Sequence, residues 1–194
     1  MVLFMERLFL GVDIGGTNTK YGFIKANGDV LSSYKIPTNS KIEFSQYASE
    51  LVENVNDHFN KYSNDYKLQA VGVGAPNANG VNGYIENPPN LNWDIVDLVG
   101  EFESAFGLPV KVENDANIAA VGEKRFGRAA NLENFMVITL GTGVGIGTYI
   151  NGSLFLGSHG VGSEAGHIIV EPGGRECACG GRGHLECYSS ATGI

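Results

Sequence analysis

Two glycine turns, a knot of cysteine and histidine, and an Asn-Asp pair where a helix should start are the parts of this chain that could do chemistry. Asp13-Ile14-Gly15-Gly16-Thr17 joins two apolar runs. Glycine lets the backbone approach a ligand closely, so the N–H groups of such a turn, with a hydroxyl from Thr17, can hold a phosphate. Asp13 could hold the metal ion that accompanies it. Gly141-Thr142-Gly143-Val144-Gly145-Ile146-Gly147 puts a second glycine turn between two later apolar runs. Alone, either turn reads as a plain tight hairpin; the recurrence points to phosphate. Neither fits the P-loop, which needs Gly-Lys-Ser/Thr opening a helix, nor the dinucleotide fingerprint, so a different phosphate-binding fold is indicated. Cys177, Cys179 and Cys187 lie in one short stretch with His184. Three thiols this close make no disulfide framework and read as metal ligation in a reducing compartment.

The elements that must position these groups follow from periodicity. Leu8 to Val12 predicts a strand, the glycine turn follows, and Tyr21 to Ile24 predicts a second strand. Asn27-Gly28 offers a hairpin turn into Val30 to Ile36, giving three consecutive antiparallel strands. Phe44, Tyr47, Leu51, Val55 and Phe59 recur at the spacing of an amphipathic helix. Leu68 to Val73 reads as a buried strand. A helix is expected from about Asp94, carrying Leu98, Phe102 and Phe106 inward and stopping at Gly107. After a short strand at Val110 to Val112, Asn114-Asp115 looks like the capped start of a helix through Ala119, Ala120 and Phe126. Phe135 to Leu140, the second glycine turn and Val144 to Ile150 then repeat strand, turn, strand, and Asn151-Gly152 repeats Asn27-Gly28. Two copies of one unit suggest two related domains, 1–113 and 114–194, with the second copy stopping early.

The composition narrows the function. The 194 residues are 43% hydrophobic, enough for one sizeable core or for a domain and part of another. A net charge of −8 with 13 scattered Lys and Arg argues against nucleic-acid binding through a basic surface. Glu6 and Arg7 interrupt the apolar N-terminal run, which is far short of the ~20 residues of a membrane span. A cytoplasmic protein without membrane or nucleic-acid partners is expected.

Five motifs in order, Asp13-x-Gly15-Gly16-Thr17, Glu113-Asn114-Asp115, Gly141-Thr142-Gly143-x-Gly145-x-Gly147, Glu164-x-Gly166-His167 and Cys177-x-Cys179-Gly180-x-x-Gly183, resemble the motif series of the ROK family of sugar kinases. The resemblance runs from Leu8 nearly to the chain's end. It implies an α/β chain of the actin-like, ribonuclease-H-like ATPase fold, two lobes with the second incomplete, binding ATP with Mg2+ and a sugar in the cleft between them.

Carried onto this sequence, the resemblance implies that Asp115 is the catalytic base, since transfer to an alcohol needs a carboxylate to take the hydroxyl proton. An N-cap aspartate is the plainer reading of Asp115. Asn114 and the loop residue Asn90 are similar to sugar ligands. Glu164, His167 and Glu186 resemble the contacts to ring hydroxyls, for which carboxylates are suited by accepting two hydrogen bonds each. Asp13, Gly15, Gly16 and Thr17, with Gly141, Thr142 and Gly143, are the expected phosphate contacts. The family's zinc pattern has a third cysteine where this chain has His184. Zn2+ on His167, Cys177, Cys179 and His184 is the economical set, and Cys187 is a rival fourth ligand.

Three functions compete. A sugar kinase is expected. A repressor of the same family would carry a helix-turn-helix domain, for which the seven residues ahead of Leu8 leave no room, and a non-catalytic sugar binder is countered by Asp115 with Glu164-x-Gly166-His167. Gly74-Ala75-Pro76-Asn77 and Asn87-Pro88-Pro89-Asn90-Leu91 resemble glucokinases, which makes glucose the expected acceptor, with an N-acetylhexosamine the alternative. Relatives continue for roughly a hundred residues beyond the equivalent of Ile194 and form homodimers of full-length chains on this expectation, so the 194 residues alone are expected to be inactive.

Overall fold

The computed structural model describes residues 5–88 and 91–194. They form two compact units, Met1–Asn114 and Asp115–Ile194.

In the first unit, alternating apolar residues make β1 (Glu6–Ile14) the centre of a five-stranded sheet, with Leu8, Leu10, Val12 and Ile14 all buried. β2 (Asn18–Lys25) and β3 (Val30–Pro37) continue antiparallel on one side. β4 (Tyr66–Ala75) and, further on, β7 (Val110–Asn114) run parallel on the other, giving the order β3-β2-β1-β4-β7. Parallel neighbours need crossovers, and α1 (Phe44–Phe59) leads from β3 to β4. Its apolar stripe, Phe44, Tyr47, Ala48, Leu51 and Val55, is buried in the core. Trp93 packs edge-on to Phe44, with centroids 4.9 Å apart, and donates its indole N–H to the Ile42 carbonyl at 3.1 Å.

The second helix differs from expectation. Ile95 to Asp97 form β6, which pairs with β5 (Tyr84–Glu86), and α2 (Leu98–Phe106) begins only after them. Asp97 caps α2 by accepting from Gly100 N–H at 2.9 Å, so the start signal lay three residues beyond Asp94. Leu98 and Phe102 are buried as expected, while Phe106 is only partly so. Gly107 closes the helix at φ 63°, the left-handed cap that glycine favours.

The second unit opens with α3 (Asp115–Phe126) and continues as a meander of β8 (Phe135–Leu140), β9 (Val144–Ile150) and β10 (Ser153–Leu154), antiparallel throughout. Asn151 and Gly152, at φ 51° and 76°, form the tight β9-β10 turn. Asn27-Gly28 is not its geometric copy. There only Gly28 has positive φ, and a register shift at Phe23/Ile24 accompanies a longer turn closed by Lys25 and Asp29. Beyond β10 the chain is mostly turns, with one 3-10 turn at Ala165–His167 and the short α4 (Glu186–Ser189). Among the described residues, no helix is long and apolar enough to cross a membrane.

Candidate functional site

The first unit contributes a turn and its anchor. Asp13 stands near the end of β1, opposite Lys20 of β2 and Gly74 of β4. Gly15 N–H closes the turn on the Asn18 carbonyl at 3.0 Å, and the Thr17 carbonyl is held by Thr38 N–H at 2.9 Å. Below it, the fully buried Thr19 hydroxyl bonds both the Tyr47 hydroxyl at 2.6 Å and the Thr38 hydroxyl at 2.8 Å. A buried hydroxyl must be paired, so this trio fixes the strand that leaves the turn to α1. Burial pushes the Tyr47 phenol well above the usual tyrosine range. None of Gly15, Gly16, Gly141 and Gly143 has left-handed φ; a Cβ at Gly15 would lie 3.0 Å from the Asn18 carbonyl oxygen, so there glycine serves close approach. Asn114 ends β7 opposite Ala75. Asn90 lies outside the described residues.

The second unit contributes carboxylates. Asp115 is the first residue of α3 and accepts its neighbour Ala116's N–H at 2.8 Å, leaving the side chain exposed. What places Asp115 is the seat of its helix. A Cβ at Gly145 would lie 2.7 Å from the Ala116 Cβ, and one at Gly147 would lie 2.6 Å from the Ala120 Cβ. The last two glycines of the 141–147 run therefore let α3 lie directly on β9. Their spacing of two in a strand, facing alanines four apart in a helix, is a small-on-small pattern that the sequence reading missed.

Glu164 precedes the Ala165–His167 turn and is exposed overall, while its neighbours partly desolvate its carboxylate. Burial raises its pKa, His167 opposes that rise, and the charges of Asp115 and Glu186 add to it. Asp115, His167 and Glu186 thus all act on Glu164 within one unit. Gly166 is buried because a Cβ there would overlap the Val144 carbonyl, and this close backbone contact brings His167 in beside β9. His167 Nδ1 is 3.8 Å from Glu186 Oε1, and a Cβ at Gly143 would lie 2.6 Å from Glu186 Oε2. Glu186 therefore spans from the second glycine turn to the histidine. Gly141, in contrast, has open space where a side chain would be.

His167, Cys177, Cys179 and His184 converge, with one ligand atom from each lying within 4.8 Å of the others. The two Nδ1 atoms are 3.4 Å apart, Cys179 Sγ is 3.3 Å from His184 Nδ1, and Cys177 Sγ is 3.9 Å from His167 Nδ1. Tetrahedral zinc with its usual bond lengths requires N···N of ~3.3 Å and S···N of ~3.6 Å, so the donor set fits that ion. Cys187 Sγ instead faces the Glu176 carbonyl at 3.5 Å. Cys177 Sγ also donates to Glu186 Oε1 at 2.8 Å, and burial with that carboxylate pushes the thiol up to about 12. All three cysteines are free thiols.

Comparison with known proteins bears on this geometry. The sequence model described as the ROK family matches residues 9–194. A glucokinase of Halalkalibacterium halodurans is 39% identical over 97% of this chain, and the match covers 58% of the relative. The chain thus spans less than two thirds of the curated relatives of this kind that it matches. A xylose repressor of Bacillus subtilis is 38% identical over 66% of the chain and 34% of its own length. Among solved structures, a ROK family glucokinase from Streptomyces griseus, in complex with glucose and AMPPNP, superposes with a TM-score of 0.80 at 38% identity, over 96% of this chain and 58% of that one. The α/β architecture is accordingly that of the actin-like ATPase fold.

Proposed function

Because the chain belongs to the ROK family, we propose that this protein is an ATP-dependent hexose kinase acting on the 6-hydroxyl of glucose. The observation that carries the reading is the gathering of Asp115, His167 and Glu186 around Glu164, with His167 Nδ1 3.8 Å from Glu186 Oε1 and Glu186 reaching the second glycine turn at Gly143. Vicinal hydroxyls of a pyranose are donors in pairs, and a carboxylate accepts in pairs. Glu164 and Glu186, with His167, are assigned the ring hydroxyls, together with Asn114 and Asn90. Asp115 is assigned the proton of the attacking hydroxyl.

In the reaction the sugar oxygen forms a bond to the γ-phosphorus of ATP as the bond from that phosphorus to the ADP oxygen breaks, and Asp115 takes the hydroxyl proton. Asp13, Gly15, Gly16 and Thr17 of the first unit, and Gly141, Thr142 and Gly143 of the second, are assigned to phosphate. The exposed Asp13 carboxylate suits the Mg2+ of MgATP, which supplies charge neutralisation at the phosphates. Zn2+ is assigned to His167, Cys177, Cys179 and His184 as a structural ion. Free thiol ligands and ATP both belong to a cytoplasmic setting.

Asp115→Asn in the intact protein tests the central assignment. Turnover should fall by about 10²–10⁴ with the fold retained, as for loss of a general base. Turnover near wild type would refute it. A second reading, a sugar-responsive regulator, is favoured by the match to the xylose repressor. Hexose binding without phosphate transfer in the wild type would select it, and a panel of hexoses and N-acetylhexosamines would define the acceptor.

A further inference from the structure

The carbonyls of the second glycine turn are tied down by residues some fifty positions away. Ala191 N–H donates to Gly141 O at 2.8 Å, and the Thr192 hydroxyl donates to Thr142 O at 2.9 Å. In a trans peptide, the carbonyl of one residue and the N–H of the next point in opposite directions. No described peptide bond is cis. Fixing Gly141 O therefore aims the Thr142 N–H away from residues 191 and 192, and fixing Thr142 O does the same for the Gly143 N–H. Gly141 itself leaves open space where a side chain would be.

The segment that holds the turn is itself strapped to the cysteine module. The Arg175 guanidinium donates to the Cys187 carbonyl at 2.9 Å and the Gly193 carbonyl at 2.8 Å, and its charge lies 4.8 Å from the Tyr188 ring centroid. Ser190, almost fully buried, bonds Thr192 hydroxyl to hydroxyl at 3.1 Å and accepts Gly193 N–H at 3.1 Å. A continuous run of hydrogen bonds leads from the turn before Cys177, through Arg175, Gly193, Ser190 and Thr192, to Thr142.

We infer that Thr192 is a positioning residue that orients the Thr142 and Gly143 amides for phosphate, and that Arg175 ties this device to the cysteine and histidine module. The inference rests on the reading of the Gly141–Gly143 turn as a phosphate contact. Amides aimed in advance bind an anion without an ordering cost at the moment of binding, so the effect belongs to the nucleotide and not to the sugar.

The test uses the intact protein with Thr192→Val, Thr192→Ser and Arg175→Met, each checked for metal content. Amide hydrogen exchange over residues 138–147, read without nucleotide, should quicken in Thr192→Val and Arg175→Met and return to wild type in Thr192→Ser. The KM for ATP should rise about tenfold in the first two, the worth of one lost hydrogen bond, with the hexose KM within about twofold of wild type. Unchanged exchange in Thr192→Val would overturn the inference. Faster exchange with an unchanged KM for ATP would overturn both the inference and the phosphate reading of the turn. If the wild type phosphorylates no hexose, the proposed function fails on its own, and MgATP binding by calorimetry replaces KM as the deciding measurement.

Discussion

Gly147 of β9 lies under Ala116 of α3 so closely that a methyl group at 147 would sit 2.5 Å from the Ala116 carbonyl oxygen. Backbone against backbone leaves nothing that can rotate aside. Gly147→Ala should therefore destabilise the second unit by about 1–3 kcal/mol, as overpacking does, and displace Asp115 enough to lower turnover. Gly122, exposed on α3 with nothing within 4 Å of its would-be Cβ, is the control. Gly122→Ala should raise stability by about 1 kcal/mol through helix propensity. Thermal midpoints moving in the same direction for both variants would contradict the helix-seat account.

The metal assignment separates two neighbouring residues. His184 Nδ1 converges with His167 and Cys179, whereas Cys187 Sγ faces the Glu176 carbonyl. Elemental analysis should find zinc lost from His184→Ala and kept in Cys187→Ala. Chelation of the wild type should lower its melting temperature, because the glycine-rich stretch around the ligands has little core of its own to hold it. The opposite pattern of zinc loss would make Cys187 the ligand.

Alkaline stability should depend on Tyr21. Its hydroxyl bonds His58 Nδ1 at 2.7 Å, and burial, with Tyr34 and Asp57 nearby, pushes the phenol up to about 12. The folded state holds the proton that the unfolded chain releases near pH 10. The contribution is therefore full below about pH 10 and is lost as pH rises through about 12. Urea midpoints measured between pH 8.5 and 11 should fall less steeply in Tyr21→Phe than in the wild type, and equal slopes would count against it.

Much of the fold was legible because its signals are local. The stripe from Phe44 to Phe59 and the runs at Phe135 to Leu140 and Val144 to Ile150 have the bounds that periodicity gives them. The helix start at Asp94 misled because Ile95 to Asp97 pair with β5, a tertiary choice that overrides the local pattern. Asn27-Gly28 and Asn151-Gly152 are alike as letters, but the bulge at Phe23/Ile24 changes the turn that the first must make. At the site, motif order brought Asp115, Glu164, His167 and Glu186 into view. The tie from Thr192 to Thr142 left no trace, since a hydroxyl bonding a carbonyl fifty residues away has no spacing to recognise.

Those two Asn-Gly turns also carry unequal risks of chemical ageing. Asparagine before glycine loses its side-chain amide when the next backbone nitrogen attacks the carboxamide carbon, which must first swing towards it. Asn27 is held against that swing at both ends, its Nδ2 donating to Asp29 Oδ2 at 2.8 Å and its Oδ1 accepting Asp29 N–H at 3.1 Å. Asn151 is fixed through its backbone, by an N–H donated to Asn134 Oδ1 at 2.9 Å. On storage at mildly alkaline pH, peptide mass mapping should show the one-dalton gain of aspartate and isoaspartate first at Asn151. The β9-β10 turn, which depends on left-handed backbone at that residue, is where an old preparation will begin to differ from a fresh one.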